Sequence, residues 1–297
     1  MNIQKYLAFV KTAECGSFTK AAEALSYTQS GISRMIGDLE REWNVRLLER
    51  GKGGVRLTSD GSALLPRARA VVESYRLLAD SVDELNGVRS GIIRIGIFSS
   101  IASQWLPSVI AAFRSDHPNI DFELLLGDYT EIESWIVDGR VDCGFLRLPA
   151  ESELETFYIT RDEMMAVLPQ KHPRACGECF PGAEFAAEPF ILLERGTNSE
   201  VRDMLADNGV YPQVRITTWD DHAVMSMVEC GLGLAVLPGL ILTHAPYRIT
   251  ALPLDKPIYR DIGLALRDST ALSAAMRCFL GYIISRVESG IAADAKK

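Results

Sequence analysis

The chain has 297 residues, 47% hydrophobic and 24% charged, with a net charge of −8. That length allows two ordinary domains or one large one, and the composition excludes a disordered or fibrous protein. No apolar run approaches the roughly 18 residues of a membrane span, Met1–Tyr6 carries no secretory signal, and six scattered cysteines make no disulfide framework, so a reducing cytoplasm is expected.

The charge is uneven. Residues 1–58 hold four lysines and five arginines against six acids, a local +3 that leaves −11 for the remainder. Phosphate attraction is local, screened beyond about 10 Å, so a basic head on an acidic body is compatible with DNA binding. In this head Ile3, Tyr6, Leu7 and Val10 recur at helical spacing and predict a first helix over 3–14. Gly16 ends it and Ser17 caps the next, whose buried face is Phe18, Ala21, Ala22 and Leu25. After the turn Ser26-Tyr27-Thr28, a third helix runs from Gln29 to Glu42 with Ile32, Ile36 and Leu39 inward.

Two short helices joined by a tight turn form a helix-turn-helix, whose second helix enters the major groove. The outward face carries Gln29, Ser30, Ser33 and Arg34 after Thr28, side chains that bond base edges or phosphate, and Gly37, where the DNA backbone has room to approach. Asp38 is the acidic exception on this helix. Val45–Arg50 and Val55–Thr58 around Gly51-Lys52-Gly53-Gly54 predict a basic hairpin, a wing that holds Arg50 and Lys52 near phosphates.

The runs Gly16-Ser17-Phe18-Thr19-Lys20-Ala21-Ala22-Glu23-Ala24-Leu25 and Thr28-Gln29-Ser30-Gly31-Ile32-Ser33-Arg34, with Leu47-Leu48-Glu49-Arg50 and Val55-Arg56-Leu57-Thr58 after them, resemble the signature of LysR-type transcriptional regulators over about 65 residues. Tyr27, Gly31 and Trp43-Asn44 depart from the usual residues without removing a DNA-contact position. The resemblance implies a winged helix-turn-helix over 1–58, a dimerising linker helix and hinge over 59–90, and a two-lobed periplasmic-binding-protein-like α/β effector domain over 91–297. Its first lobe takes about 91–160 and 266–297, its second about 161–265. It further implies a homodimer on a palindromic double-stranded operator, or a tetramer, and no enzymatic activity.

The residues support that plan independently. Leu64, Ala68, Val71, Tyr75, Leu78, Val82 and Leu85 alternate by four and three, a heptad seam for a partner helix or for the chain's own body, with Pro66 expected to disturb its start. Asn86–Gly91 reads as a hinge. Beyond it, strand Ile92–Phe98, helix Gln104–Phe113, strand Ile120–Leu126, helix Glu131–Asp138 and strand Val141–Phe145 alternate as in a parallel doubly wound sheet. A second unit follows with strands Met164–Leu168, Phe190–Leu193, Gln213–Thr217 and Leu234–Leu237, then Ile262–Leu266 and a closing helix Leu272–Val287. The run Gly231–Pro238 also resembles a late motif of the family.

Ligands of such sheets lie outside the carboxyl ends of strands, often on helix N-termini. That selects Ser99, Ser100, Tyr129, Thr130 and Arg147 in the first lobe, and Thr197, Asn198, Trp219 and His222 in the second. Several of these equally suit helix caps, and Arg147, if it faces the cleft, points to an acidic effector or else pairs with a nearby Glu. Cys176-Gly177-Glu178-Cys179 near His172 raises a redox-sensing alternative, while metal lacks a fourth ligand. Neither a nucleophile-elbow, P-loop nor zinc-protease motif marks the chain as an enzyme, and Gly231-x-Gly233 lacks the third glycine of a dinucleotide loop. A non-regulatory binding protein or enzyme remains the rival, and no cofactor or membrane partner is implied.

Overall fold

The computed structural model describes residues 2–51, 54–85, 91–194 and 200–288, except the side chains of Arg50, Asp80 and 83–85. Of the hinge expected at Asn86–Gly91, residues 86–90 lie outside them and Gly91 opens the first strand of the body.

Caps set the head. Asn2 accepts from the Gln4 amide at 3.0 Å to start α1 (Ile3–Cys15), Ser17 starts α2 (Phe18–Ala24), and Thr28 Oγ1 accepts from the Gly31 amide at 3.1 Å to start α3 (Gln29–Trp43). Phe9, Ile32, Leu39 and Leu47 close a core between the three helices. Hairpin strands β1 (Leu48–Gly51) and β2 (Gly54–Leu57) pair antiparallel. They are bound to α3 because Glu40 Oε1 accepts from the amides of Leu47 at 2.7 Å and Leu48 at 3.2 Å.

Helix α4 (Ser59–Leu85) continues through Pro66. Its seam divides in two. Leu64 and Ala68 pack into the head core, whereas Val71, Tyr75, Leu78 and Val82 are exposed along the rest of the helix. The same helix docks on the body through Arg69, whose Nη1 lies 2.7 Å from Asp138 Oδ2, and through Arg76, which bridges Glu73 and Asp142.

The body is built on a six-stranded sheet whose strands lie in the order Ile120–Leu126, Gly91–Ile97, Cys143–Leu148, Ile249–Leu266, Glu155–Pro169 and Ala235–Pro238. Strands β3 (Gly91–Ile97), β4 (Ile120–Leu126) and β5 (Cys143–Leu148) are parallel, as expected. The all-parallel expectation fails at β6 (Glu155–Pro169) and β10 (Ile249–Leu266), long strands that pair antiparallel with each other, β10 also with β5. They run through both lobes. Their first-lobe ends join the core of Ile95, Phe113, Phe145 and Phe279, and their second-lobe ends pack with Phe180, Phe185 and Phe190. Only a short part of each was expected from sequence, Met164–Leu168 of β6 and Ile262–Leu266 of β10, and within β10 Asp255-Lys256-Pro257 has the composition of a turn. In the structure it fills a register break between Pro253 and Ile258 within one strand.

The first lobe is covered by α5 (Leu106–Asp116), α6 (Tyr129–Val137) and α10 (Ala274–Glu288), with a π-helical turn Ile101–Trp105 ahead of α5. Helix α6 approaches the sheet closely over Gly96 and Gly144, where a Cβ would stand 2.8 and 2.4 Å from the Ile132 side chain. The second lobe adds a parallel pair, β7 (Pro189–Leu193) and β8 (Gln213–Thr218), with α7 (Glu200–Asp207), α8 (Asp221–Glu229), β9 (Ala235–Pro238) and the short α9 (Gly239–Leu242).

A Cβ at Gly61 would lie 2.1 Å from the Leu47 carbonyl oxygen, where α4 passes the wing. Gly61→Ala is expected to cost the head about 1–3 kcal/mol by overpacking. In a calorimetric melt the head transition should fall while that of the body stays put.

Candidate functional site

Two surfaces gather the candidate residues. On α3, Gln29, Ser30 and Arg34 are exposed and Ser33 is half-buried, with Thr28 exposed at the cap and its Oγ1 3.2 Å from Ser30 Oγ. Gly37 faces open space. The acid at Asp38 is engaged by Arg41 on the next turn, so its charge is locally balanced. Helix α3 therefore presents hydroxyls, an amide and a cation on one face. Arg50 sits on β1 with its side chain outside the described residues, as is the whole of Lys52.

The second surface is a cavity of about 310 Å³ between the lobes. Phe98, Ser99 and Ser100 line it from the end of β3, Tyr129 from the start of α6, Glu200 from α7, and Trp219 and Asp221 from the start of α8. Its floor is Arg260, 4% exposed, on β10.

Strand register explains this buried charge. Arg260 stands directly opposite Asp162 on β6, and the next pair is Asp261 opposite Arg161. Side chains alternate across a strand, so one Arg–Asp pair turns inward and the other outward. Inside, Arg260 Nε and Nη2 donate to Asp162 Oδ2 at 3.0 and 2.7 Å, Nη2 to Ser100 Oγ at 2.7 Å, and Nη1 to the Tyr129 hydroxyl at 2.9 Å. Asp162 Oδ1 accepts from the Leu240 amide at 2.9 Å. The Tyr129 hydroxyl in turn donates to Glu200 Oε2 at 3.2 Å.

Burial pushes the Tyr129 phenol well up, with Arg260 opposing and Glu200 adding to the shift. Burial works against the Arg260 charge, but Tyr129, Glu200 and Asp162 together hold its proton more firmly than usual. Across the cleft Asp221, 9% exposed, accepts a hydrogen bond from the Ser99 side chain, and burial raises its carboxyl above the ordinary range.

Of the candidates chosen from sequence, the structure brings Ser99, Ser100, Tyr129 and Trp219 into the lining. Thr130 is exposed on the first turn of α6, outside the lining. His222 is exposed on α8, its Nδ1 3.5 Å from the Tyr247 hydroxyl, and is also outside it. Arg147 does not reach the cavity; its Nε lies 3.8 Å from Glu200 Oε1. Thr197 and Asn198 lie outside the described residues. Sequence reasoning missed Arg260, Asp162, Glu200 and Asp221. One signal was present: an Arg-Asp dipeptide occurs in each of two apolar segments, at 161–162 and 260–261, and antiparallel pairing sets each Arg against an Asp.

Cys176 and Cys179 are exposed free thiols in a loop beyond the outer end of β6, away from the cavity lining. Nearby His172 has its Nε2 3.6 Å from Glu188. Among the described residues no group of three or more His, Cys, Asp or Glu is arranged to hold a metal, and no helix is long and apolar enough to cross a membrane.

Two family patterns match the chain. That of the bacterial regulatory helix-turn-helix proteins of the LysR family covers residues 3–62, and that of the LysR substrate binding domain covers 86–288. The chain is similar to YvbU of Bacillus subtilis, an uncharacterized HTH-type transcriptional regulator, with 31% identity over 94% of this chain and 97% of that one. It is also similar to the probable HTH-type transcriptional regulator LrrA of Synechococcus elongatus, with 33% identity over 95% and 96%. Among solved structures, a full-length OxyR variant from Pseudomonas aeruginosa superposes with a TM-score of 0.75 at 22% identity, over 95% of this chain and 94% of that one.

Replacing Arg260 by Met leaves Asp162 charged, buried and uncompensated, which is expected to cost the body about 3–5 kcal/mol in urea unfolding. Arg260→Met combined with Asp162→Asn should recover part of the loss. A single variant as stable as the parent would contradict the network.

Proposed function

We infer how this protein works from one premise: the chain belongs to the LysR family of transcriptional regulators, with a helix-turn-helix head for DNA and an effector-binding body. Members of this family bind DNA and small-molecule effectors and assemble into oligomers.

On that premise α3 is the recognition helix. Gln29, Ser30, Ser33 and Arg34 read base edges in the major groove, and Thr28 with the wing residues Arg50 and Lys52 holds phosphates. Two copies pair through the exposed ridge Val71, Tyr75, Leu78 and Val82, which sets two recognition helices on a palindromic operator, and two such dimers give a tetramer. The ridge runs into an apolar recess of about 470 Å³ between Tyr6, Trp43, Val45, Leu64 and Ala68, which gives a partner helix a further place to pack. The protein acts in the cytoplasm, where its DNA is.

The effector occupies the interlobe cavity. The observation that carries this reading is the path leading out of it. Tyr129, bound to Arg260, is the first residue of α6, and Asp138, the cap at its other end, is bound to Arg69 of the linker helix. A ligand that shifts Tyr129 therefore shifts the seat of α4, and with it the spacing of the paired heads. The cavity is a binding site and performs no turnover. Ser100 Oγ is held by Arg260 and Ser99 faces Asp221, and the lining among the described residues includes no histidine, lysine or cysteine to activate either.

Gln29→Ala or Ser33→Ala should weaken binding to the protein's own upstream DNA by roughly fivefold to a hundredfold, leaving random DNA unaffected in salt-matched gel shifts. Unchanged sequence preference would remove α3 from the groove. Leu78→Asp should shift sedimentation from dimer to monomer at micromolar concentration; an unaltered dimer would place the interface elsewhere.

A further inference from the structure

Arg147 gave the sequence its reason to expect an acidic effector, and the geometry removes that reason. Among the described residues the one cation buried in the cleft, Arg260, is engaged on every side. A guanidinium has five N–H groups. In Arg260, Nε and Nη2 serve Asp162, Nη2 also serves Ser100, and Nη1 serves Tyr129 and lies 3.5 Å from Glu200. One face of the group is covered by the Phe98 ring at 5.1 Å. An incoming carboxylate would have to displace a neutralising Asp162 to reach it.

The acids of the cleft are differently placed. Asp221 is about nine-tenths buried, lines the cavity and forms no ion pair among the described residues; its side-chain partner is the Ser99 hydroxyl. Glu200 receives the Tyr129 hydroxyl and meets Arg260 and Arg147 only at 3.5 and 3.8 Å. Arg260 attracts Asp221 only at a distance, and a buried carboxylate with no ion pair among the described residues is costly, so Asp221 is explained if something that enters the cleft supplies a nearer charge. Leu193, Val201 and Pro238 complete the lining with apolar surface.

We propose that the interlobe cleft takes an organic cation, a small molecule whose protonated amino group donates to Asp221 and faces Glu200 while its hydrocarbon part lies against Leu193, Val201 and Pro238. This rests on the reading of the cleft as the effector site and fixes the charge of its occupant.

The test uses the full chain and three straight-chain six-carbon probes, n-hexylammonium, hexanoate and hexanol, titrated calorimetrically at neutral pH. The expected result is saturable binding of n-hexylammonium, with hexanoate and hexanol weaker by roughly tenfold or more. Asp221→Asn should weaken the ammonium by a similar factor. That variant removes a charge disfavoured by burial, so it should melt no lower than the parent at neutral pH, and the gain should vanish below the ordinary carboxylate value of 3.8. Hexanoate or hexanol binding as tightly as the ammonium, no saturable ammonium binding at tens of millimolar, or indifference to Asp221→Asn each overturns the proposal. Leu126→Trp, which narrows the cleft from an exposed position, separates the two readings. Hexanoate binding that Leu126→Trp weakens would keep the cleft and refute the cation, whereas ammonium binding indifferent to both substitutions would refute the cleft as well.

Discussion

The body depends on the pairing of Arg260 with Asp162 where β6 and β10 cross between the lobes. Both charges are almost fully out of water, at 4% and 3% side-chain exposure, so each is tolerated only because the other is in place. The pair does more than neutralise itself. Arg260 reaches Ser100 and Tyr129 of the first lobe and stands beside Glu200 of the second, while Asp162 holds the start of α9. The floor of the cleft, the position of α6 and the approach of the two lobes thus share one guanidinium.

From that point the architecture reads outward. Glycines at 96 and 144 bring α6 against the sheet, so the helix that begins at Tyr129 is seated on the first lobe. Its far end meets α4 through Asp138 and Arg69. A few residues on, Asp142 accepts from the Arg94 amide at 2.7 Å and pairs with Arg76, and burial raises its carboxyl despite that partner. The linker helix is tied at one end into the head core through Leu64 and Ala68, and further along to the body through Arg69 and Arg76. These packed elements are the route by which the proposed effector site would act on DNA binding, and a linkage of this kind acts in both directions.

How much of this was legible in the sequence follows the range of the interactions. The head was readable nearly residue by residue, because caps at Ser17 and Thr28, helical periodicity and a glycine-rich turn are local signals. The linker helix was readable too, although its seam is shared: Leu64 and Ala68 serve the head and Val71 onward stays open. Only a short part of each long strand was legible, and in β10 a bulge at Asp255-Lys256-Pro257 mimics a turn. The cleft was the least legible part. Helix starts identified Ser99, Ser100, Tyr129 and Trp219, but Arg260 and Asp162 are brought together by a register between strands about a hundred residues apart, and Asp221 meets them from a separate helix, which no local window contains.

Hydrogen–deuterium exchange of the full-length protein, with and without its own upstream DNA, tests the central claim most directly, because it needs no knowledge of the effector. Coupling through α4 and α6 predicts that DNA bound at the head alters exchange across residues 129–138 and at 98–102 beside the cleft. Changes confined to residues 1–85 would contradict it, leaving head and cleft as independent parts of one chain.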